Sequence, residues 1–172
     1  IDSSGRIYVG GRNRLARFTA DGLLDTTFGT NGSVVDDHTS PIYDIQIEAD
    51  GSILTAGNDD HYFRATRWSP QGSPLRTFNH DPQGSTDDYV RGVLVRDDGD
   101  ILIIGSAAAN SNHSDRHYTV VRFNRDASFE QEFRYDIGGA ATDFVHSVLS
   151  LPDDRFLLVG TSDGQAALTR HL

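Results

Sequence analysis

Four stretches of this chain repeat one another, and that repetition constrains the fold more than any other feature. They are Gly5-Arg6-Ile7-Tyr8-Val9-Gly10-Gly11, Gly51-Ser52-Ile53-Leu54-Thr55-Ala56-Gly57, Gly99-Asp100-Ile101-Leu102-Ile103-Ile104-Gly105 and Asp154-Arg155-Phe156-Leu157-Leu158-Val159-Gly160. Their closing glycines, Gly11, Gly57, Gly105 and Gly160, lie 46, 48 and 55 residues apart. A second anchor follows each: Ala16-Arg17-Phe18, Thr66-Arg67-Trp68, Val121-Arg122-Phe123 and Thr169-Arg170-His171, with arginines spaced 50, 55 and 48. Phe28, Phe78 and Phe133 make a third, at 50 and 55. Another apolar segment precedes each later repeat, at Ile42 to Ile47, Val90 to Val95 and Val145 to Leu151. Three anchors keeping one period mean that a single structural unit is used again and again.

Each unit reads as four short strands, A to D, separated by Gly, Asp, Asn and Pro. In the second unit A spans about 42–48, B 52–57, C 62–68 and D 76–80, with B ending at its glycine. Of the 25 acidic residues only Glu48, Glu130 and Glu132 are glutamates, and 17 residues are glycine. Asp and Gly favour turns whereas Glu favours helix interiors, and no window carries a 3.6-residue apolar stripe. The expected fold is all-β, a β-propeller built from blades of four antiparallel strands, in preference to a β-solenoid or sandwich. The units run about 1–41, 42–88, 89–143 and 144–172 within one repeat domain. The first supplies B, C and D and the last A, B and C, about three and a half blades in all. Rings close with roughly 4–8 blades, so the expectation is a partial ring or fragment, completed by self-association or by the remaining blades of a longer chain. A chain that opens at Ile1 without methionine fits a processed protein or a piece of one.

The segment Leu15-Ala16-Arg17-Phe18-Thr19-Ala20-Asp21-Gly22-Leu23-Leu24-Asp25-Thr26-Thr27-Phe28-Gly29-Thr30-Asn31-Gly32 resembles the delta-sixty repeat of bacterial β-propellers. That pattern combines an Asp-Gly turn, an Ala-Arg-aromatic triplet and a Leu-Asp-x-x-Phe-Gly motif. Later units depart from it: Ser73-Pro74-Leu75-Arg76-Thr77-Phe78-Asn79 lacks the Leu-Asp pair, and Phe129-Glu130-Gln131-Glu132-Phe133-Arg134 keeps only the last Phe. The resemblance implies a propeller in a secreted or cell-surface bacterial protein, with the periplasm as a further location, and it carries over no catalytic residue.

Charge and composition narrow the partners. A net charge of −10 disfavours nucleic acid and anionic membrane surfaces. No apolar run reaches the ~18 residues of a membrane span. Cysteine is absent, which removes thiolate chemistry and disulfides.

In a blade, the B–C and D–A connections share one rim and the A–B and C–D turns the other. His38, His61, His80, His113 and His117, five of the seven histidines, fall on the first rim, together with Asp36, Asp37, Asp59, Asp60, Asp81, Asp87, Asp88, Asp115 and Asp143. Polar loops are ordinarily solvated turns, yet loops on a rigid frame also carry binding groups. The longest B–C connection holds His113, Asp115 and His117 at alternate positions, which places them on one side of an extended segment and suits a first-row metal. Calcium is the metal that the oxygen-rich Asp36-Asp37 and Asp87-Asp88 loops would suit. Near the start of strand A, one slot holds Tyr43, Arg91 and His146 and the next holds Asp44, Gly92 and Ser147. Tyr43, Asp44, Arg91 and His146 are therefore candidate ligand-binding residues at a channel mouth. The repeated arginines, with Phe28, Phe78, Phe133 and Trp68, read instead as parts that maintain each unit.

No nucleophile elbow, metalloprotease helix or phosphate loop occurs. The expected function is a non-catalytic binding or scaffold module with a protein or polar glycan partner. The alternative is a propeller hydrolase or lyase acting on a polar polymer through rim His and Asp with a metal.

Overall fold

The structure is a computed structural model describing residues 1–172 apart from 37–40, 60–61, 83–87, 109–114, 140–141 and 172. Its described residues form fourteen strands in four antiparallel sheets and contain no α-helix. Blade 1 holds β1 (Ile7–Gly10), β2 (Arg14–Phe18) and β3 (Ser33–Val35). Blade 2 holds β4 (Ile42–Ile47), β5 (Ile53–Asp59), β6 (Tyr62–Trp68) and β7 (Pro74–His80). Blade 3 holds β8 (Tyr89–Val95), β9 (Ile101–Ala108), β10 (Arg116–Phe123) and β11 (Phe129–Tyr135). Blade 4 holds β12 (Asp143–Ser150), β13 (Phe156–Ser162) and β14 (Gln165–His171). Within each sheet the spatial order follows the chain, and β8 lies against both β4 and β12. Strand A is thus innermost, and the four sheets are a β-propeller segment whose ring is not closed.

The core lies between the blades. Leu15, Phe28 and Val34 of blade 1 meet Ile53 and Trp68 of blade 2. Leu54, Phe63 and Phe78 meet Val93, Ile101, Ile103 and Phe123 of blade 3. Leu102, Ile104, Tyr118 and Val120 meet Val145, Phe156 and Leu158 of blade 4. Strand B of an interior blade is covered on both faces, so its sequence is a continuous apolar run rather than an alternation. In β9, Ile101 and Ile103 serve one joint while Leu102 and Ile104 serve the next, and the whole strand is buried.

The repeated glycines do not end strand B as expected. β5, β9 and β13 continue past Gly57, Gly105 and Gly160 to Asp59, Ala108 and Ser162. The sequence marks each glycine for a different reason. Each inner strand carries a β-bulge opposite it, where Tyr43, Arg91 and His146 are skipped by the pairing. The bulge drives the carbonyls of Pro41, Tyr89 and Phe144 onto the three glycine Cα atoms, where any Cβ would collide with them.

Main-chain and side-chain hydrogen bonds sew the blades together just before each bulge. The amide of Ile42 donates to the Gly11 carbonyl at 2.9 Å, that of Val90 to Asn58 Oδ1 at 2.9 Å, and that of Val145 to Ser106 Oγ at 2.8 Å. At the circumference, His80 Nε2 of β7 lies 2.6 Å from Glu132 Oε2 of β11, and its ring stacks on Phe129 at 4.3 Å.

Arg17, Arg67 and Arg122 act as expected, through unlike partners. Arg17 bonds Asp25 at 2.8 Å and reaches the Pro70 carbonyl of blade 2 at 2.6 Å. Arg67 grips both oxygens of Glu48, at 2.7 and 2.8 Å. Arg122 holds Asp100 at 2.6 Å and Glu130 at 2.7 Å, and the bond to Asp100 raises its guanidinium pKa further. Arg170, on the last strand, is exposed.

His171 fills the slot that Phe18, Trp68 and Phe123 occupy, stacked on Phe156 with ring centroids 5.2 Å apart. Burial pushes its imidazole below the ordinary value, so the neutral form is favoured in the fold. The associated stability is complete above the unfolded value near 6.5 and is lost as pH falls below it toward the folded value. His171→Phe is therefore expected to shrink the loss of Tm between neutral pH and about pH 5. A variant whose Tm falls as steeply as the wild type's would show that this ring contributes nothing to acid sensitivity.

Candidate functional site

Each bulge turns its extra residue out of the ladder at the start of an inner strand. Tyr43 is 46% exposed and His146 is exposed, so both reach solvent. The Arg91 guanidinium lies 5.2 Å from the Tyr43 ring centroid and 5.6 Å from that of Tyr89. It also donates to the Val90 carbonyl at 3.0 Å. The structure thus brings Tyr43 and Arg91 together across the joint between blades 2 and 3. His146 meets Thr161 Oγ1 of its own blade at 3.4 Å.

Asp44 sits beside this group but is engaged by backbone. Its Oδ1 accepts the Ile45 amide at 2.8 Å and its Oδ2 the Val93 amide at 2.9 Å. Gln46 accepts the Val95 amide at 3.1 Å in the same way. Both side chains of β4 satisfy amides along the inner edge of β8, which pairs with β9 on its other side. At the equivalent Gly92 a Cβ would press on Val148 Cγ2 at 2.7 Å, whereas Ser147 is exposed.

Of the proposed metal ligands, His113 lies outside the described residues. Asp115 Oδ1 and His117 Nε2 are 3.4 Å apart, and His117 belongs to strand β10, not to the loop assigned from sequence. Among the described residues, no group of three or more His, Asp and Glu side chains is placed to hold a metal ion. For calcium, Asp37 and Asp87 are likewise outside the description. Asp36 lies 3.6 Å from Arg64, and Asp88 is 5% exposed.

Sequence reasoning passed over Arg116 and placed Asp143 on the rim, where both are buried. Arg116 is 3% exposed, with its guanidinium 4.9 Å from the Tyr89 ring centroid and 5.1 Å from that of Phe144. Asp143 is fully buried and accepts the Ile137 amide at 2.9 Å. Burial, and secondarily the Asp143 charge, push the Tyr118 phenol upward. Arg116 carries no repeat signal, because no other unit has arginine in its slot.

The opposite rim is built from turns. Asp50 accepts the Ser52 amide at 2.8 Å and Asp98 the Asp100 amide at 2.9 Å, with Gly51 and Gly99 at φ 82° and 89°. The Ser52 amide bond holds the Asp50 carboxyl below the usual carboxylate range. A groove of about 550 Å³ opens there between blades 2 and 3, lined by Gln46, Glu48, Asp97 and Arg125. A larger one, about 1000 Å³, runs down the circumference between blades 1 and 2.

Comparisons with known proteins agree with this architecture. Residues 3–28 match the family described as "Domain of unknown function (DUF5122) beta-propeller". That stretch covers β1, β2 and the segment up to Phe28, and overlaps the part that best fits the repeat pattern. No curated protein matches the chain. Among solved structures, a protein of unknown function from Bacteroides caccae superposes with a TM-score of 0.61 at 14% identity, over 97% of this chain. The chain spans 57% of that protein's length. At that identity the likeness speaks for the fold alone, and the fold is a β-propeller.

Proposed function

We propose that this chain is a non-catalytic binding and scaffold module of a secreted or cell-surface bacterial repeat protein. The observation that carries the reading is the row of bulges. Three inner strands bulge at one position and turn out three unlike side chains, Tyr43, Arg91 and His146, from an otherwise repeated frame. Bulges re-aim side chains, and rigid frames commonly present recognition groups this way. An aromatic ring, a guanidinium and an imidazole suit a polar partner, either a protein surface or a glycan. The location, with the periplasm included, rests on the first unit's resemblance to the delta-sixty repeat. The engagement of Asp44 and Asp143 by backbone amides supports binding over the hydrolase or lyase alternative, which would need free carboxylates.

The uncovered sheet faces support a further blade as partner. Leu168 is 65% exposed although its counterparts Leu15, Ala65 and Val120 are buried. Val9 is 49% exposed whereas Ile103 and Leu158, in the same slot, are buried. The remaining blades of a longer chain, or a second copy, would cover both faces, and native mass spectrometry reads which. Calcium at the Asp-bearing D–A loops belongs to the same reading, and Tm with calcium against Tm with chelator tests it.

The decisive experiment probes immobilised chain with uncharged bacterial envelope polysaccharides and matrix proteins, beside a Tyr43→Ala/Arg91→Ala/His146→Ala variant. Wild type is expected to retain a ligand without shortening it, and the variant to lose it at unchanged Tm. Equal retention by the variant, or polysaccharide cleavage by wild type that the variant lacks, overturns the reading.

A further inference from the structure

The groove between blades 1 and 2 exists because β3 has 3 residues where β7 and β11 have 7. Blade 1 therefore leaves the outer part of its neighbour's face uncovered, in a space of about 1000 Å³. That volume is at the upper end of what ligand pockets enclose.

The uncovered face is polar by replacement. Across β5, β6 and β7 the register aligns Thr55, Thr66 and Thr77. The same slots of blade 3 hold Ile103, Val121 and Glu132, of which the first two are fully buried. Thr55 is served within its blade, donating to the Thr66 carbonyl at 3.3 Å and accepting from Trp68 Nε1 at 3.0 Å. Thr66 is different. It is 3% exposed, it lines the groove, and its hydroxyl has no hydrogen-bond partner among the described residues. Burying a hydroxyl unpaired is unfavourable, and the next blade avoids that cost with Val121.

The groove also gathers donors. Arg14 and Asn31 line it, and Arg64 lies across from Asp36, with 3.6 Å between guanidinium and carboxylate. Among the described lining residues the charged side chains are Arg14, Arg64 and Asp36, in a chain of net charge −10, and Arg14 is exposed. Trp68, 3% exposed and packed in the core between blades 1 and 2, borders the groove from beneath. Hydroxyl and amide groups match sugar hydroxyls, and guanidinium matches carboxylate.

We propose that this groove binds a carboxylate-bearing oligosaccharide of the uronic acid class. The site is separate from the bulge row, so it goes beyond the function proposed above.

Trp68 is the only tryptophan of the chain, so its fluorescence reports on the groove directly. Titration of the whole chain with trigalacturonate is expected to change that emission saturably. Thr66→Val and Arg14→Gln should each weaken binding roughly tenfold, the loss expected for one hydrogen bond to a charged or buried group. Neither should lower Tm, since valine occupies the same slot in blade 3 and Arg14 is exposed. Maltotriose, which lacks the carboxylates, and triglutamate, which lacks the sugar rings, should leave the emission unchanged. No saturable response to trigalacturonate overturns the proposal. So does undiminished binding by both variants, or an equal response to either control. Tyr43→Ala/Arg91→Ala should bind trigalacturonate as the wild type does. Loss of binding in that variant would move the ligand to the bulge row and overturn the groove assignment, while leaving the other reading standing.

Discussion

Gly105→Ala is expected to destabilise the chain by roughly 3 kcal/mol or more, while Gly11→Ala, in the same slot of blade 1, changes stability by less than about 0.5 kcal/mol. At Gly105 the added methyl would strike the Tyr89 carbonyl and come within 2.9 Å of the Phe63 ring. The carbonyl belongs to a bulge, and moving it would break the Val90 amide bond to Asn58 and open the joint with blade 2. At Gly11 no inner strand presses in, and the nearest atom is the Arg14 carbonyl at 3.7 Å. Urea denaturation of both variants reads the difference. Equal losses would mean that the glycine serves strand B itself and has nothing to do with the bulge.

Arg122→Ala is expected to cost about 1–3 kcal/mol, and Arg170→Ala less than about 0.5 kcal/mol. The Arg122 side chain is 26% exposed and is paired with Asp98, Asp100 and Glu130 at once. Its removal leaves three carboxylates facing one another, so the deficit should shrink as salt is raised. Arg170 keeps the sequence slot but is exposed on the last strand. Unchanged melting of Arg122→Ala would make the repeated arginine an ordinary surface residue.

The fold was legible because its period is written three times over, in glycine, arginine and phenylalanine. Strand count, strand order and the inter-blade placement of Phe28, Phe78 and Trp68 follow from that period. The purpose of the glycine was not legible. A closing glycine after an apolar run looks like a strand end, and only the pairing register reveals that it faces a bulge in a neighbouring strand. The same blindness applies to Asp44: its variable slot is visible in sequence, but the amide edge of β8 that engages it is not. Arg116 was hidden because a lone arginine in an Asn- and Ser-rich connection gives no hint of burial between two rings. The threonine row was available in principle. Comparing units for polarity at core slots, instead of for shared residues, sets Thr55 and Thr66 against Ile103 and Val121.

The stitches that join the blades bear on how such a chain can change in length. The three incoming amides, from Ile42, Val90 and Val145, meet an oxygen at one position, supplied by a main-chain carbonyl, an asparagine and a serine in turn. Thr161 of blade 4 carries a hydroxyl in the slot of Asn58 and Ser106. The joint thus specifies an acceptor atom and leaves the residue that provides it open. A duplicated or deleted unit would find a working connection on either side without any new chemistry. Descent by tandem duplication is cheap for such a molecule, because the grammar of the joint outlives the identity of the words.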